Sequence, residues 1–182
     1  VARRLRRLHG PALACWSFIL GYSRWHRRLR FNVADPYLSE HLSWREMTTT
    51  GHASLQGLNR SSAIPFQISL RALCVDLLEP IRAHFGKPIT INSGYRCLAL
   101  NTAIKGSKTS QHMKGEAADF VIVGVDLYEI FEWLKTSKLP VDQAILEGHS
   151  PSHPTWIHAS RSSKPRGEFL IFDGKNYHSS PG

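Results

Sequence analysis

The chain has 182 residues, 42% of them hydrophobic and 20% charged, a composition that supports a domain with a buried core and excludes global disorder. No run of about 18 apolar residues occurs, which excludes a membrane-spanning helix. The net charge of +9 sits at one end: residues 1–30 hold eight Arg and no Asp or Glu, and the other 152 residues carry 15 Lys or Arg against 14 acids. The body is therefore nearly neutral, and nucleic acid is not an expected partner. Three cysteines without a CxxC pair argue against a disulfide framework or a thiolate cluster, so a metal would be held by His and carboxylate.

Residues 1–36 read as a basic extension ahead of a domain at 37–182. The Arg-rich start and the apolar stretch Pro11–Tyr22 resemble a signal peptide only loosely, because no small-x-small site follows and Cys15 lies near the start of the apolar run. A dispensable extension and an arm for an anionic surface are both open readings.

The body begins with a short helix expected over Leu38–Met47, with Ser39 as its cap, and a polar loop through Gly51, Gly57 and Ser61-Ser62. From Pro65, apolar residues recur at spacings of three and four (Leu70, Leu73, Cys74, Leu77, Ile81), which predicts a long amphipathic helix with Cys74 in the core. Pro80 is expected to bend it, and Gly86 and Pro88 to end it. A short strand follows at Ile89–Asn92, then a turn at Ser93-Gly94-Tyr95, a brief helix at Leu98–Ile104 and a loop at Lys105–Gly115. Ala117–Val123 reads as a buried strand. Asp126 and Glu129 have the spacing of a capping box for a helix running to about Thr136. Strands are expected at Gln143–Glu147, Trp156–Ser160 and Glu168–Phe172, the last turning at Asp173-Gly174 into Lys175–His178. Helices first and sheet later is an α+β order.

Asp119 stands out because it lies inside Ala-Ala-Asp-Phe-Val-Ile-Val, where an unpaired carboxylate would cost several kcal/mol. His112, seven residues earlier, would face the other side of a regular strand, but Gly115 permits a turn that brings it back. His158 sits in another apolar strand segment. Two His and one Asp leave a tetrahedral zinc one open position, as in a catalytic site. From these residues alone, a loop-capping Asp119 and an ordinary core histidine at 158 are the preferred reading.

The wider pattern narrows this. Ser110-x-His112-x-x-Gly115-x-Ala117-x-Asp119 resembles, at all five positions, the signature of the zinc D-Ala-D-Ala carboxypeptidase-like metallopeptidases, of the LAS superfamily. Ile89 to Arg96 resembles that family's strand and SGYR turn, Asn101 a following polar helix position, and Trp156-Ile157-His158 the segment of its last ligand. The resemblance spans about Leu42 to Tyr177. It implies a hedgehog/DD-peptidase-like fold, with a central, mostly antiparallel sheet and helices on one side. It implies a Zn2+ ion on His112, Asp119 and His158, with Arg96 and Ser110 facing a peptidoglycan peptide substrate. Many relatives carry an acid just before the last His; here those positions are Pro154, Thr155, Trp156 and Ile157. The expected general base is instead Glu147, brought beside His158 by antiparallel pairing of two strands, with Asp142 a weaker candidate at the far strand end. A solvated strand-end role for Glu147 is the alternative. His149 and His153 read as rim residues, Cys97 as no nucleophile, and Tyr95 and Trp156 as packing residues that border the cleft at most.

The implied activity is a D,D-carboxypeptidase or an endolysin-type endopeptidase, acting as a monomer in the periplasm or cell envelope. A phage-encoded enzyme released by a holin would reconcile that location with the weak signal peptide. A metal-containing cell-wall binding module without catalysis is the competing class, and a nucleic-acid binder acting through residues 1–30 is a third.

Overall fold

The structure, a computed structural model, describes residues 37–150 and 153–180, with side chains for all of these except 149, 150 and 153. The expected extension at 1–36 lies outside the described residues. The architecture is α+β. A first short helix, α1 (Trp44–Thr48), is capped by Ser43 and not by Ser39: the Ser43 side chain accepts from Glu46 N–H, and Glu46 reaches back to Ser43 N–H at 2.9 Å. This reciprocal box satisfies two donors that a helix start leaves open. Ser39 donates instead to Glu79.

The expected polar loop contains a helix, α2 (Gln56–Ser62). Its hidden anchor is Asn59, fully buried among backbone groups. A 3-10 turn then leads into α3 (Gln67–Leu73), a widened π turn (Cys74–Leu78) and α4 (Glu79–Phe85). The sequence predicts a continuous helix bent at Pro80. The irregularity instead falls one turn earlier, because proline has no N–H for the carbonyl four residues back and its ring crowds that carbonyl. Leu70, Leu73, Cys74, Leu77, Leu78 and Ile81 are all fully buried, as their spacing predicts. Gly86 ends α4 in the left-handed conformation.

Six strands form one mixed sheet: β1 (Ile89–Ser93), β2 (Ala117–Ile122), β3 (Val141–Ser150), β4 (His153–Arg161), β5 (Glu168–Phe172) and β6 (Tyr177–Ser179). Their order is β1-β2-β4-β3-β5-β6, antiparallel throughout except for the parallel pair β3–β5. Between them lie α5 (Leu98–Ala103), a 3-10 turn (Gln111–Lys114) and α6 (Leu127–Thr136), where Asp126 caps by accepting from Tyr128 N–H. Strands β3 and β4 are longer than their apolar runs suggest, and most of the expected loop between them is strand.

Alternation along the strands separates two faces. Phe120, Ile122, Ile157, Ala159, Ala144 and Leu146 face the helices and are buried with Ile130, Phe131 and Leu134 of α6. The other face carries Asp119, His158, Ile145 and Glu147. Among the described residues no single helix is long and apolar enough to cross a membrane.

Candidate metal centre

The site is built by strand register. Asp119 on β2 and His158 on β4 are direct cross-strand partners, and Ile145 on β3 is the next residue across. Residues opposite one another in an antiparallel pair point to the same face at close range, so two polar side chains in apolar strands are brought together. The third member arrives from outside the sheet. His112 rides on the 3-10 turn Gln111–Lys114, and Gly115 then reverses the chain at φ +67° into β2. A Cβ on Gly115 would also stand 2.9 Å from Leu70 Cγ, so space and torsion both require glycine there.

His112 Nε2 lies 3.1 Å from Asp119 Oδ1 and 3.1 Å from His158 Nδ1, and His158 Nδ1 lies 2.9 Å from the same Asp119 oxygen. All three residues are buried. His112 Nδ1 donates to the Gly94 carbonyl at 2.7 Å, which fixes the tautomer and turns the Nε2 lone pair inward. Burial pushes the His112 imidazole below its ordinary pKa, the Asp119 charge opposing this, and so keeps the ring neutral. Burial would raise the Asp119 carboxyl, but His112 and His158 around it hold it well below the usual range. A ring lone pair of His112 thus faces a carboxylate oxygen and a second ring nitrogen, three ligand atoms close enough for one cation to share. Separations of about 3 Å between donor atoms suit bonds of about 2.0–2.1 Å to one ion. The donor set fits zinc.

Arg96 follows β1 and reaches the same centre. Its Nε donates to Ser93 Oγ at 2.8 Å, and its Nη2 pairs with Asp119 Oδ2. Gly94 permits this turn because a Cβ there would stand 2.4 Å from the Met47 carbonyl oxygen. Glu147 is placed opposite Trp156, two residues along β4 from His158, and Trp156 Nε1 donates to its Oε2 at 2.9 Å. Burial pushes the Glu147 carboxyl up and the Asp119 charge adds to this, against the Trp156 hydrogen bond.

These residues line a cleft of about 850 Å³. Arg96, Ser110, His112, Asp119, Glu147 and His158 all border it. Ile145 and Leu170, paired across β3 and β5, add an aliphatic strip beside His158. Tyr177 on the edge strand β6 forms a further wall; no sequence signal marked it. Asp142 is buried and engaged elsewhere, accepting from Arg166 N–H at 3.0 Å, Nε at 3.1 Å and Nη2 at 2.7 Å, and from Gln111 Nε2 at 3.1 Å. It ties the loop before β5 to the turn that carries His112.

The other candidates fall outside the centre. Tyr95 is buried and stacks on Phe66 at 5.3 Å, and neither it nor Trp156 lines the cleft. Cys97 is buried at the start of α5, and burial pushes the buried Cys74 thiol far up. Asn101 is buried and donates to Ser107 O at 2.9 Å, bracing the loop before Ser110. The side chains of His149 and His153 lie outside the described residues.

A neutral His, a carboxylate and a second His converging on the floor of an open cleft form the donor set of a mononuclear metal centre. The sequence profile described as peptidase M15 matches residues 40–160. The chain belongs to that family of zinc-dependent metallopeptidases. No curated protein matches it.

Proposed function

We propose that this protein is a zinc-dependent peptidase that cleaves the peptide stems of peptidoglycan, in the periplasm or cell envelope where that substrate lies. The observation that carries the reading is the convergence of His112 Nε2, Asp119 Oδ1 and His158 Nδ1 in a cleft that also holds Glu147 and Arg96. His112, Asp119 and His158 would hold the ion, which when bound supplies Lewis acidity toward a carbonyl oxygen and toward water.

The chain's own residues supply the rest. Glu147 takes the proton of the attacking water and returns it to the leaving amine. Trp156 Nε1–H holds one of its oxygens and thereby its orientation. Arg96 offers further N–H donors of its planar fork to the oxyanion or to a peptide carboxylate, and Ser110 hydrogen-bonds the substrate from the rim. The aliphatic strip of Ile145 and Leu170 beside His158 suits a small apolar side chain next to the scissile bond, as in an alanine-rich stem.

Mass spectrometry of purified peptidoglycan fragments incubated with zinc-loaded protein tests this, alongside Glu147→Ala and His112→Ala. Release of one alanine identifies a carboxypeptidase, and release of larger stem pieces an endopeptidase. Both variants should lose the activity. Unchanged fragments from folded, zinc-containing wild type would leave a non-catalytic cell-wall module as the better reading.

A further inference from the structure

Asn59 touches no part of the cleft, yet its side chain grips the backbone that carries Arg96. It is fully buried on α2. Its Nδ2 donates to Tyr95 O and to Thr48 O, both at 3.0 Å, and its Oδ1 accepts Cys97 N–H at 2.7 Å. Tyr95 C=O and Cys97 N–H belong to the two peptide groups on either side of Arg96. Peptide units are planar, so the only soft freedoms between those groups are φ and ψ of Arg96. One planar amide bonded to both restrains both torsions. The Arg96 N–H is tied separately, to His112 O at 3.2 Å. This segment has left the ladder of β1, so sheet hydrogen bonds do not set its direction.

We infer that Asn59 is the positioning residue for Arg96: helix α2, through one side-chain amide, aims the guanidinium that meets the peptide substrate. The inference rests on the peptidase reading above. Gln56, one turn earlier on α2, provides a built-in control. It accepts Thr50 N–H at 2.9 Å and donates to Thr48 O at 3.2 Å, gripping the same neighbouring segment with no bond to residues 95–97.

The test compares kcat/KM on stem peptides for the zinc-loaded full chain, Asn59→Ser, Gln56→Ala, Arg96→Ala and the Asn59→Ser/Arg96→Ala double variant. Misplacing a group by about 1 Å costs about 10²-fold, and that loss is expected for Asn59→Ser with zinc content unchanged. Gln56→Ala should stay within about twofold of wild type, and adding Asn59→Ser to Arg96→Ala should change its residual activity by no more than about twofold. Equal losses with and without Arg96, or a loss in Gln56→Ala as large as in Asn59→Ser, would overturn the inference. Asn59→Gln, which keeps a neutral amide and displaces it by one methylene, replaces the serine variant in the same cycle if that one does not fold.

A readout independent of activity separates this inference from the peptidase reading. The Arg96 Nε–H resonance, bonded to Ser93 Oγ, should shift or broaden in Asn59→Ser and stay in place in Gln56→Ala. An unmoved signal in Asn59→Ser overturns the inference, whereas a shifted signal in a chain that cleaves nothing supports it and fails only the peptidase reading.

Discussion

Glu147 can act as a base only when ionised, and its burial opposes ionisation. In the zinc-free protein the Glu147 carboxyl should therefore titrate above the ordinary glutamate value of about 4.3, read by NMR titration of its side-chain carbon. Trp156→Phe removes the Nε1–H that favours the charged form and should move that titration to higher pH. Glu147→Gln should lower kcat by about 10²–10⁴-fold without changing zinc content. Asp142 titrates in the opposite sense. Burial opposes its ionisation too, but Arg166 overrides this and holds the carboxyl below the ordinary range. Its contribution to stability is present above the unfolded value of about 3.9 and is lost as pH falls through the folded one. Asp142→Ala should cost about 1–3 kcal/mol at neutral pH, measured by urea unfolding. Its main effect on activity should come through the turn of Gln111 and His112.

At the scale of elements, two glycines decide whether the centre assembles. Gly115 combines a positive φ with contact against Leu70 and Phe66 of the helical layer. Gly115→Ala should destabilise the fold by about 1–3 kcal/mol and weaken zinc binding, because the turn carrying His112 must shift. Calorimetric zinc titration and thermal melts check both. The motif Ser110 to Asp119 was legible as a motif, but the way it closes was not. A seven-residue separation becomes a 3.1 Å contact only because a 3-10 turn and a left-handed glycine fold the chain back. Helix α2 escaped a reading by periodicity altogether. It is short and polar, and its anchor is an asparagine that satisfies backbone groups far away in sequence, so no apolar stripe announces it.

For the whole molecule, the metal couples to stability. A cation held by His112, Asp119 and His158 binds the folded chain, where the three converge, and not the unfolded one, so adding zinc to the apoprotein should raise Tm. At a free concentration of 100 times Kd the gain is about 2.7 kcal/mol, about 5–10 °C for a body of this size. His158→Ala should abolish the response, and a chelator should reverse it in wild type. The near-neutral body also predicts that residues 37–182 bind DNA weakly, with a shallow dependence on salt, in a filter-binding titration.

From its residues alone the chain determined the α+β order, the long buried helix and the strands. Spacing and composition are local properties, and local periodicity reports which face is buried. The sequence also carried the metal triad as a family signature, and the pairing that would bring Glu147 toward His158. Only the tertiary structure decided what surrounds these groups. It placed Arg166 on Asp142, turned Tyr177 into a cleft wall and set Asn59 against the backbone of Arg96. Arg166 lies 24 positions from Asp142, and Asn59 lies 36 from Tyr95 and 38 from Cys97, joined by strand register and helix docking. Such relations depend on how elements meet, which no window along the sequence contains.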